Sequence, residues 1–148
     1  MKKILYISYD GLLEPLGQSQ VLEYQKKLSK RHDIFIISFE KISLDKNNEF
    51  HNSTLNILKA SNINWYRLQY HKKPSGLATA FDIFTGIFFA SFLILRFNIK
   101  IIHARSYVPS VIALAMKKLI GIKFIFDMRG FWADERVDGG IWKNNSLL

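Results

Sequence analysis

The sequence predicts an α/β domain: a doubly wound parallel sheet of about five strands, in the order 3-2-1-4-5, with helices on both faces. Short apolar strands alternate with helices, which implies right-handed βαβ units. The strand that begins at Asp33 is apolar almost throughout, as in sheets that are covered on both sides. The chain has 148 residues, enough for one domain with its own core.

Composition narrows the class of protein. Hydrophobic residues make up 49% of the chain and there are 3 prolines, so an ordered domain is expected. There is no cysteine, which excludes disulfides and cysteine-based chemistry and suits the reducing cytoplasm. The net charge of +9 favours anionic partners. Nucleic acid is not expected among them, because the lysines are scattered and no nucleic-acid motif is present.

The elements of the first half follow from the apolar runs. Residues 3–9 are the first predicted strand, and the loop "DGLLEPLG" leads to a helix over about 18–31. Residues 33–40 form the second strand. The predicted buried face of the helix consists of Val21, Leu22, Tyr24 and Leu28.

The second half repeats the alternation. A polar linker, 41–48, precedes a helix over about 49–61, and a third strand starts at Ile63. The later elements are a long apolar helix over 77–97, a strand in "KIIHARS" that ends near His103, a helix over 107–120 and a strand over 123–127. Around the last helix, the sequence places Ser106 as N-cap, Pro109 in the first turn and Gly121 just past the end.

The long apolar helix has a second interpretation. Residues 77–95 carry only Asp82 as a charge and approach the length of a transmembrane segment. Polar residues such as Thr79, Thr85 and Ser91 interrupt the run, which favours a crossover helix packed on the sheet. Peripheral attachment at a membrane surface stays open.

Unusual polar residues follow three of the predicted strands. Ligands of open α/β sheets bind beyond the carboxyl ends of the strands, so we expect these residues to line one crevice. They are Asp10, Gly11 and Gly17 after the first strand, His103, Arg105 and Ser106 after the fourth, and Asp127, Arg129 and Gly130 after the fifth. Arginine at such a position suits phosphate or carboxylate. The alternative is that both arginines pair with Asp127 or with Asp134 and Glu135.

Four residues have individual interpretations. Gly17 is expected to open a helix whose free amides attract phosphate, although no G-x-G-x-x-G is present and the glycine could merely let the loop turn. Glu40 stands where a nicotinamide enzyme would have its ribose-binding acid, but without the glycine motif it is interpreted as a solvated strand end. Asp134 and Glu135 are adjacent, so they are poorly placed as a paired acid and base, and no metal site is expected there because a histidine neighbour is lacking.

Two stretches resemble a known family. The tail "FIFDMRGFWADERVDGGIW", preceded by "IIHARSY", and the opening "ILYISYDGLLEPLGQSQVLEY" are similar to the N-terminal lobe of retaining family-4 glycosyltransferases of the GT-B fold. The resemblance covers nearly the whole chain. It implies two Rossmann-like lobes, of which the N-terminal one holds a glycan, lipid or small-molecule acceptor and the C-terminal one binds the nucleotide-sugar donor.

The resemblance also implies roles for residues. Gly17 matches a glycine that approaches the donor diphosphate. Asp127 stands where related enzymes often have a histidine that touches the transferred sugar, which makes it the candidate catalytic residue. The remaining candidates belong to the acceptor side: His103, Arg105, Ser106, Arg129, Asp134 and Glu135. Neither a metal nor another cofactor is implied, because fixed positive charge and amide dipoles would stabilise the leaving diphosphate.

The chain departs from the family in its length. The family's E-x7-E pair and second lobe are absent, so residues 1–148 are predicted to be one acceptor-side lobe that cannot complete glycosyl transfer without its C-terminal partner lobe. Cytoplasmic location, at the inner membrane face, and a role in polysaccharide synthesis agree with this family. The alternatives are a non-catalytic α/β module that binds a nucleotide or a partner subunit, and a flavodoxin-like or receiver domain, which would need an acidic cluster after strand one.

Overall fold

A computed structural model describes residues 1–41 and 49–130. Its sheet has five strands in the order β3-β2-β1-β4-β5, and every neighbouring pair is parallel. The predicted fold class and strand order are therefore confirmed. The strands are β1 (Lys2–Ser8), β2 (His32–Glu40), β3 (Asn64–Gln69), β4 (Ile101–Arg105) and β5 (Lys123–Asp127).

Helices connect the strands and cover both faces of the sheet. After β1, a π-helical segment (Gly17–Leu22) continues into α1 (Glu23–Ser29). The other helices are α2 (Glu49–Ala60), α3 (Ser75–Phe97) and α4 (Tyr107–Ile120). Residues 42–48 of the predicted linker are outside the described residues. Asp134 and Glu135 are outside them as well.

The alternation of side chains along the strands produces two cores. Leu5 and Ile7 of β1 pack with α3 and α4, whereas Tyr6 between them packs on the opposite face with the π-helical segment and α2. Because β2 contributes to both cores, its sequence is apolar in successive positions rather than in alternate ones. The predicted buried positions Val21 and Leu22 are confirmed and Leu28 is partly buried, but Tyr24 is exposed.

Helix α4 ends as its sequence predicts. Gly121 adopts φ 76°, and its N–H donates to the carbonyl oxygen of Lys117. At the other end, Ser106 occupies the N-cap position without a side-chain capping bond; its backbone N–H instead donates to the Asp127 carbonyl oxygen at 2.9 Å. Ser106 thus extends the contact between β4 and β5 by one residue.

Helix α3 is buried along one face only. Ala90 and Leu93 are fully buried against the sheet, which confirms the crossover helix. Within the part of the chain that the structure describes, the segment Gly76–Phe97 is also the one helix long and apolar enough to cross a membrane, judged by length and composition. Only a third of its most apolar window is buried.

Candidate functional site

Four predicted site residues meet in a hollow of about 440 Å³ at the carboxyl edge of the sheet: His103, Arg105, Asp127 and Arg129. Strands β4 and β5 are parallel neighbours, and their register sets Arg105 beside Asp127. The carboxyl ends of the two strands therefore lie together. One expectation was wrong: His103 and Arg105 lie within β4, not in the loop after it. Being two residues apart on a strand, they point to the same face.

Arg105 is a buried cation with few partners. Its Nη2 donates to Gln20 Oε1 at 2.8 Å, and its Nε lies 3.8 Å from Asp10 Oδ2. That Nε has no hydrogen-bond partner among the described residues. Arg129 donates to the same Gln20 oxygen. Two guanidinium groups therefore converge on one neutral amide oxygen. Neither forms an ion pair with Asp127, and the alternative of pairing with Asp134 or Glu135 concerns residues outside those that the structure describes.

The sequence reading did not identify Gln20, Tyr6 and Tyr24, which also line this hollow. Gln20 lies in the π-helical segment, a type of distortion that often occurs at functional sites but has no simple sequence pattern. Tyr6 looked like an ordinary strand residue. Tyr24 was assigned to the buried face of a regular α-helix, and the extra residue per turn of a π-helix changes the direction of the side chains that follow it.

Burial shifts the pKa values of two side chains that line the hollow, His103 and Tyr6. The pKa of His103 is lowered from 6.5, chiefly because burial disfavours the imidazolium, while the charge of Asp127, with Oδ2 3.7 Å from His103 Nε2, opposes the shift. His103 is therefore neutral at pH 7. Burial also raises the pKa of Tyr6 to about 12, against the opposing charge of Arg105, so this phenol keeps its proton.

The charges at this hollow are nearly balanced. Arg105 and Arg129 line it together with Asp127 and a neutral His103, and Asp10 lies 3.8 Å from Arg105 Nε. Among the described residues Arg129 makes no ion pair, so its guanidinium group can bind an anion.

Ser106 lies in a second hollow. This one, of about 600 Å³, is lined by residues that include Tyr9, Asp10, Lys41 and Ser106. The expected single crevice is thus divided into two, because Arg105 and Ser106 are successive residues and point to opposite sides of the sheet edge. Asp10 links the two hollows through its ion pair with Arg105.

Gly17 lies under the loop that follows β1. A Cβ at this position would overlap the carbonyl oxygen of Gly11 and lie 2.8 Å from Leu12 Cα. The π-helical segment begins at Gly17, but Leu16 before it already has helical dihedral angles and the Gln18 N–H donates to Glu14 O at 3.0 Å. The packing of the loop by itself requires glycine here, and contact with a donor phosphate stays a prediction.

Glu40 binds the backbone of this loop. The expectation of a solvated strand end was wrong: the side chain is fully buried. Its carboxylate accepts the N–H groups of Leu12 and Leu13 at 2.8 and 3.3 Å and the hydroxyl of Ser38 at 2.6 Å. Glu40 therefore positions the loop beside the site.

The fold of this chain is similar to that of two solved structures. No protein-family profile matches the sequence, and no curated protein matches it. A glycosyltransferase from Rickettsia africae superposes with a TM-score of 0.53 and 19% identity, over 84% of this chain and 29% of that one. The C-terminal domain of a hydrogenase from Pyrococcus furiosus superposes with a TM-score of 0.51 and 12% identity, over 86% of this chain and 92% of that domain.

These similarities agree with the strand order described above. At such low identity they concern the fold alone, and the chain spans less than a third of the length of the glycosyltransferase. The chain is a Rossmann-like α/β domain, a fold that it shares with part of the glycosyltransferase and with the hydrogenase domain.

Proposed function

We propose that the chain is the acceptor-side, N-terminal lobe of a nucleotide-sugar-dependent glycosyltransferase, of the retaining, family-4-like GT-B type. The fold is shared with part of a glycosyltransferase, which supports this assignment. The resemblance of the opening and tail motifs to the N-terminal lobe supports the division of roles. This lobe binds the acceptor, and a C-terminal lobe binds the donor. We place the enzyme on the cytoplasmic side, in polysaccharide synthesis.

The observation that carries the proposal is the convergence of Arg105 and Arg129 on Gln20. Gln20 is neutral and Asp10 lies near Arg105 alone, so the charge of Arg129 has no ion-pair partner among the described residues. A phosphate or carboxylate group on the acceptor would replace Gln20 as hydrogen-bond acceptor and gain charge-assisted bonds in a site that is partly shielded from water. Binding of this kind fixes the acceptor relative to the sheet edge, which is the main task of an acceptor lobe.

Asp127 and His103 are the candidates for sugar contacts. The carboxylate of Asp127 is partly exposed to the hollow, so it can accept hydrogen bonds from sugar hydroxyls and orient the transferred sugar. His103 is neutral, so its ring can serve as donor or acceptor without adding charge. Loss of the nucleoside diphosphate is assisted by fixed positive charge and backbone dipoles, to which Gly17 contributes.

The test uses the protein expressed from its complete gene. We expect nucleoside diphosphate release from one of UDP-glucose, UDP-galactose, UDP-N-acetylglucosamine or GDP-mannose when lipid and glycan extracts of the source cells are added. Arg129→Gln should raise the acceptor KM about tenfold or more, as loss of a charge-assisted bond implies. Asp127→Asn should lower kcat with little change in donor KM.

Lys30→Gln is the matched control, since Lys30 is exposed and lies outside the residues that line the hollow. Its kinetics should equal those of the wild type. No release from any donor with any extract would refute the enzymatic proposal. Unchanged kinetics in both Arg129→Gln and Asp127→Asn would remove the hollow from the reaction. Gly17 is unsuitable as a test position, because any side chain there disturbs the loop itself.

A non-catalytic binding module is the second candidate. The observation in its favour is that the hydrogenase domain, almost all of which is covered, has the same fold at a similar TM-score. Titration calorimetry of this chain with UDP and with pyrophosphate discriminates between the two. Micromolar nucleotide binding by residues 1–148, without turnover by the complete protein, would favour the module.

A further inference from the structure

Helix α3 exposes an apolar stripe along its whole length. The stripe consists of Leu77, Phe81, Phe84, Phe88, Phe92 and Leu95, each between 56% and 74% exposed. Their spacing of three and four residues places them on one face of the helix. With 23 residues, α3 is about 34 Å long. Large exposed apolar patches are rare on soluble domains and mark interaction surfaces.

The opposite face of α3 is fixed to the sheet. Asp82, the only charge between Gly76 and Leu95, is fully buried. It accepts the Tyr9 hydroxyl at 2.8 Å and the His71 N–H at 3.1 Å, and its other oxygen pairs with His71 Nδ1 at 2.6 Å. If α3 left the sheet to cross a bilayer, this carboxylate would lose all three contacts. The helix therefore stays on the domain, with the apolar stripe facing outward.

A groove of about 670 Å³ adjoins the C-terminal end of the apolar stripe. Leu95 lines it, together with Ile120 and three exposed lysines, Lys2, Lys100 and Lys123. None of the described residues that line it is acidic. At the other end of α3, the exposed pair Lys72–Lys73 precedes the helix. An aromatic surface with lysines at both ends matches the layered chemistry of a bilayer of anionic phospholipids.

We propose that this face binds the surface of an anionic phospholipid bilayer, with α3 lying in the membrane plane. The phenylalanines enter the boundary between head groups and acyl chains, and the lysines contact head-group phosphates. The lysines at both ends of α3 favour lipid as the occupant of this face. If a second copy of this chain packed on it, the lysines of the two copies would face and repel one another. The proposal depends on the helix and the groove, not on the proposed glycosyltransferase activity.

The orientation also bears on the site. Gly76, in the first turn of α3, lines the same hollow as Tyr9 and Ser106. One end of the apolar stripe therefore lies beside the carboxyl edge of the sheet. On a membrane, that edge would face the head-group region at a short distance, where a lipid-linked molecule could reach it.

Sedimentation with vesicles tests the proposal. We expect this chain to bind vesicles of equal parts phosphatidylglycerol and phosphatidylcholine, and to bind phosphatidylcholine vesicles far less. The double variant Phe84→Ser/Phe88→Ser should weaken binding roughly a hundredfold, because two phenyl groups no longer leave water. Lys100→Gln/Lys123→Gln should weaken it about fivefold per lysine, and added salt should weaken the wild type.

The matched control is Lys27→Gln/Lys30→Gln, which removes two exposed lysines from the segment that covers the opposite face of the sheet. It should bind like the wild type, and circular dichroism should show that all variants are folded. Equal weakening in this control would show non-specific attraction and overturn the proposal. Binding that survives Phe84→Ser/Phe88→Ser would overturn it as well.

The absence of cysteine permits a second, site-directed readout. A polarity-sensitive dye on Phe88→Cys should shift to the blue when anionic vesicles are added, whereas the same dye on Lys30→Cys should not. A blue shift at position 88 that depends on protein concentration and not on vesicles would show that a second copy covers the apolar stripe. That outcome, or no shift at position 88, would contradict membrane binding.

Discussion

At the scale of single residues, the protonation of His103 reports on the electrostatics of the candidate site. Burial and the charge of Arg105 lower its pKa from 6.5, while Asp127 raises it. We expect NMR titration of the His103 ring to give a midpoint below 6.5. Asp127→Asn should lower this midpoint further, and Arg105→Gln should raise it. Shifts of the same sign in both variants would contradict the geometry described above.

The same pKa has a consequence for stability. Between the folded pKa and 6.5, the unfolded chain binds more protons at this position than the folded chain does. The free energy of unfolding therefore falls as the pH is lowered through 6.5. His103→Gln should remove this part of the loss, which urea titrations at pH 7.5 and pH 5 would measure.

Glu40 shows where the reading of single residues failed. Its position at the end of an apolar run suggested solvent, yet its partners are backbone N–H groups of the loop 27 and 28 residues earlier. A pattern within the strand carries no information about such partners. The arginines, in contrast, could be placed at the sheet edge from the sequence, because parallel strands bring their carboxyl ends together.

At the scale of elements, the packing of α3 against α4 depends on Gly86. A Cβ there would lie 2.5 Å from Ile112 Cδ1, and Ile112 is fully buried. Gly86→Ala should lower the free energy of unfolding by about 1 kcal/mol, because overpacking outweighs the gain in helix propensity. Gly76→Ala, on the same helix with nothing within 4 Å, should raise it by about 0.5–1 kcal/mol.

Ile112→Val supplies the control, since it removes the methyl group that an alanine at position 86 would meet. In denaturant titrations of the single and double variants, the two substitutions should couple favourably by about 1 kcal/mol. Additive effects would mean that the contact between the helices is looser than described.

Most helices and strands could be predicted from the sequence, because the spacing of their apolar residues matches the period of a helix or a buried strand. The helix over 107–120 and the strand over 123–127 were predicted with the observed bounds, and capping by Gly121 held. The helix after β1 was the exception. A π-helical turn depends on how the loop packs on Gly17 and Leu12, so the directions of Gln20 and Tyr24 could not be read from the period of a regular helix.

At the scale of the whole molecule, the sheet is unevenly supported. Along β2, the residues from Ile34 to Glu40 are buried, whereas β5 has no buried residue and exposes Ile125 and Phe126. Local opening is easiest where few apolar contacts are lost. The candidate site joins the two regions, because Arg105 comes from the buried β4 and Arg129 follows β5.

Hydrogen exchange measured by mass spectrometry should resolve this difference. Without ligand, we expect the amides of β2 to exchange orders of magnitude more slowly than those of β5, because β2 opens only when the domain unfolds. Pyrophosphate bound between Arg105 and Arg129 should slow exchange in β5 and leave β2 unchanged, since ligand binding stabilises the ordered form of the strand that carries Asp127. Equal protection of β2 and β5 without ligand would contradict the uneven support. If pyrophosphate at millimolar concentration left β5 unchanged, the two arginines would not form an anion site, and an acceptor would have to be held by other groups at this edge.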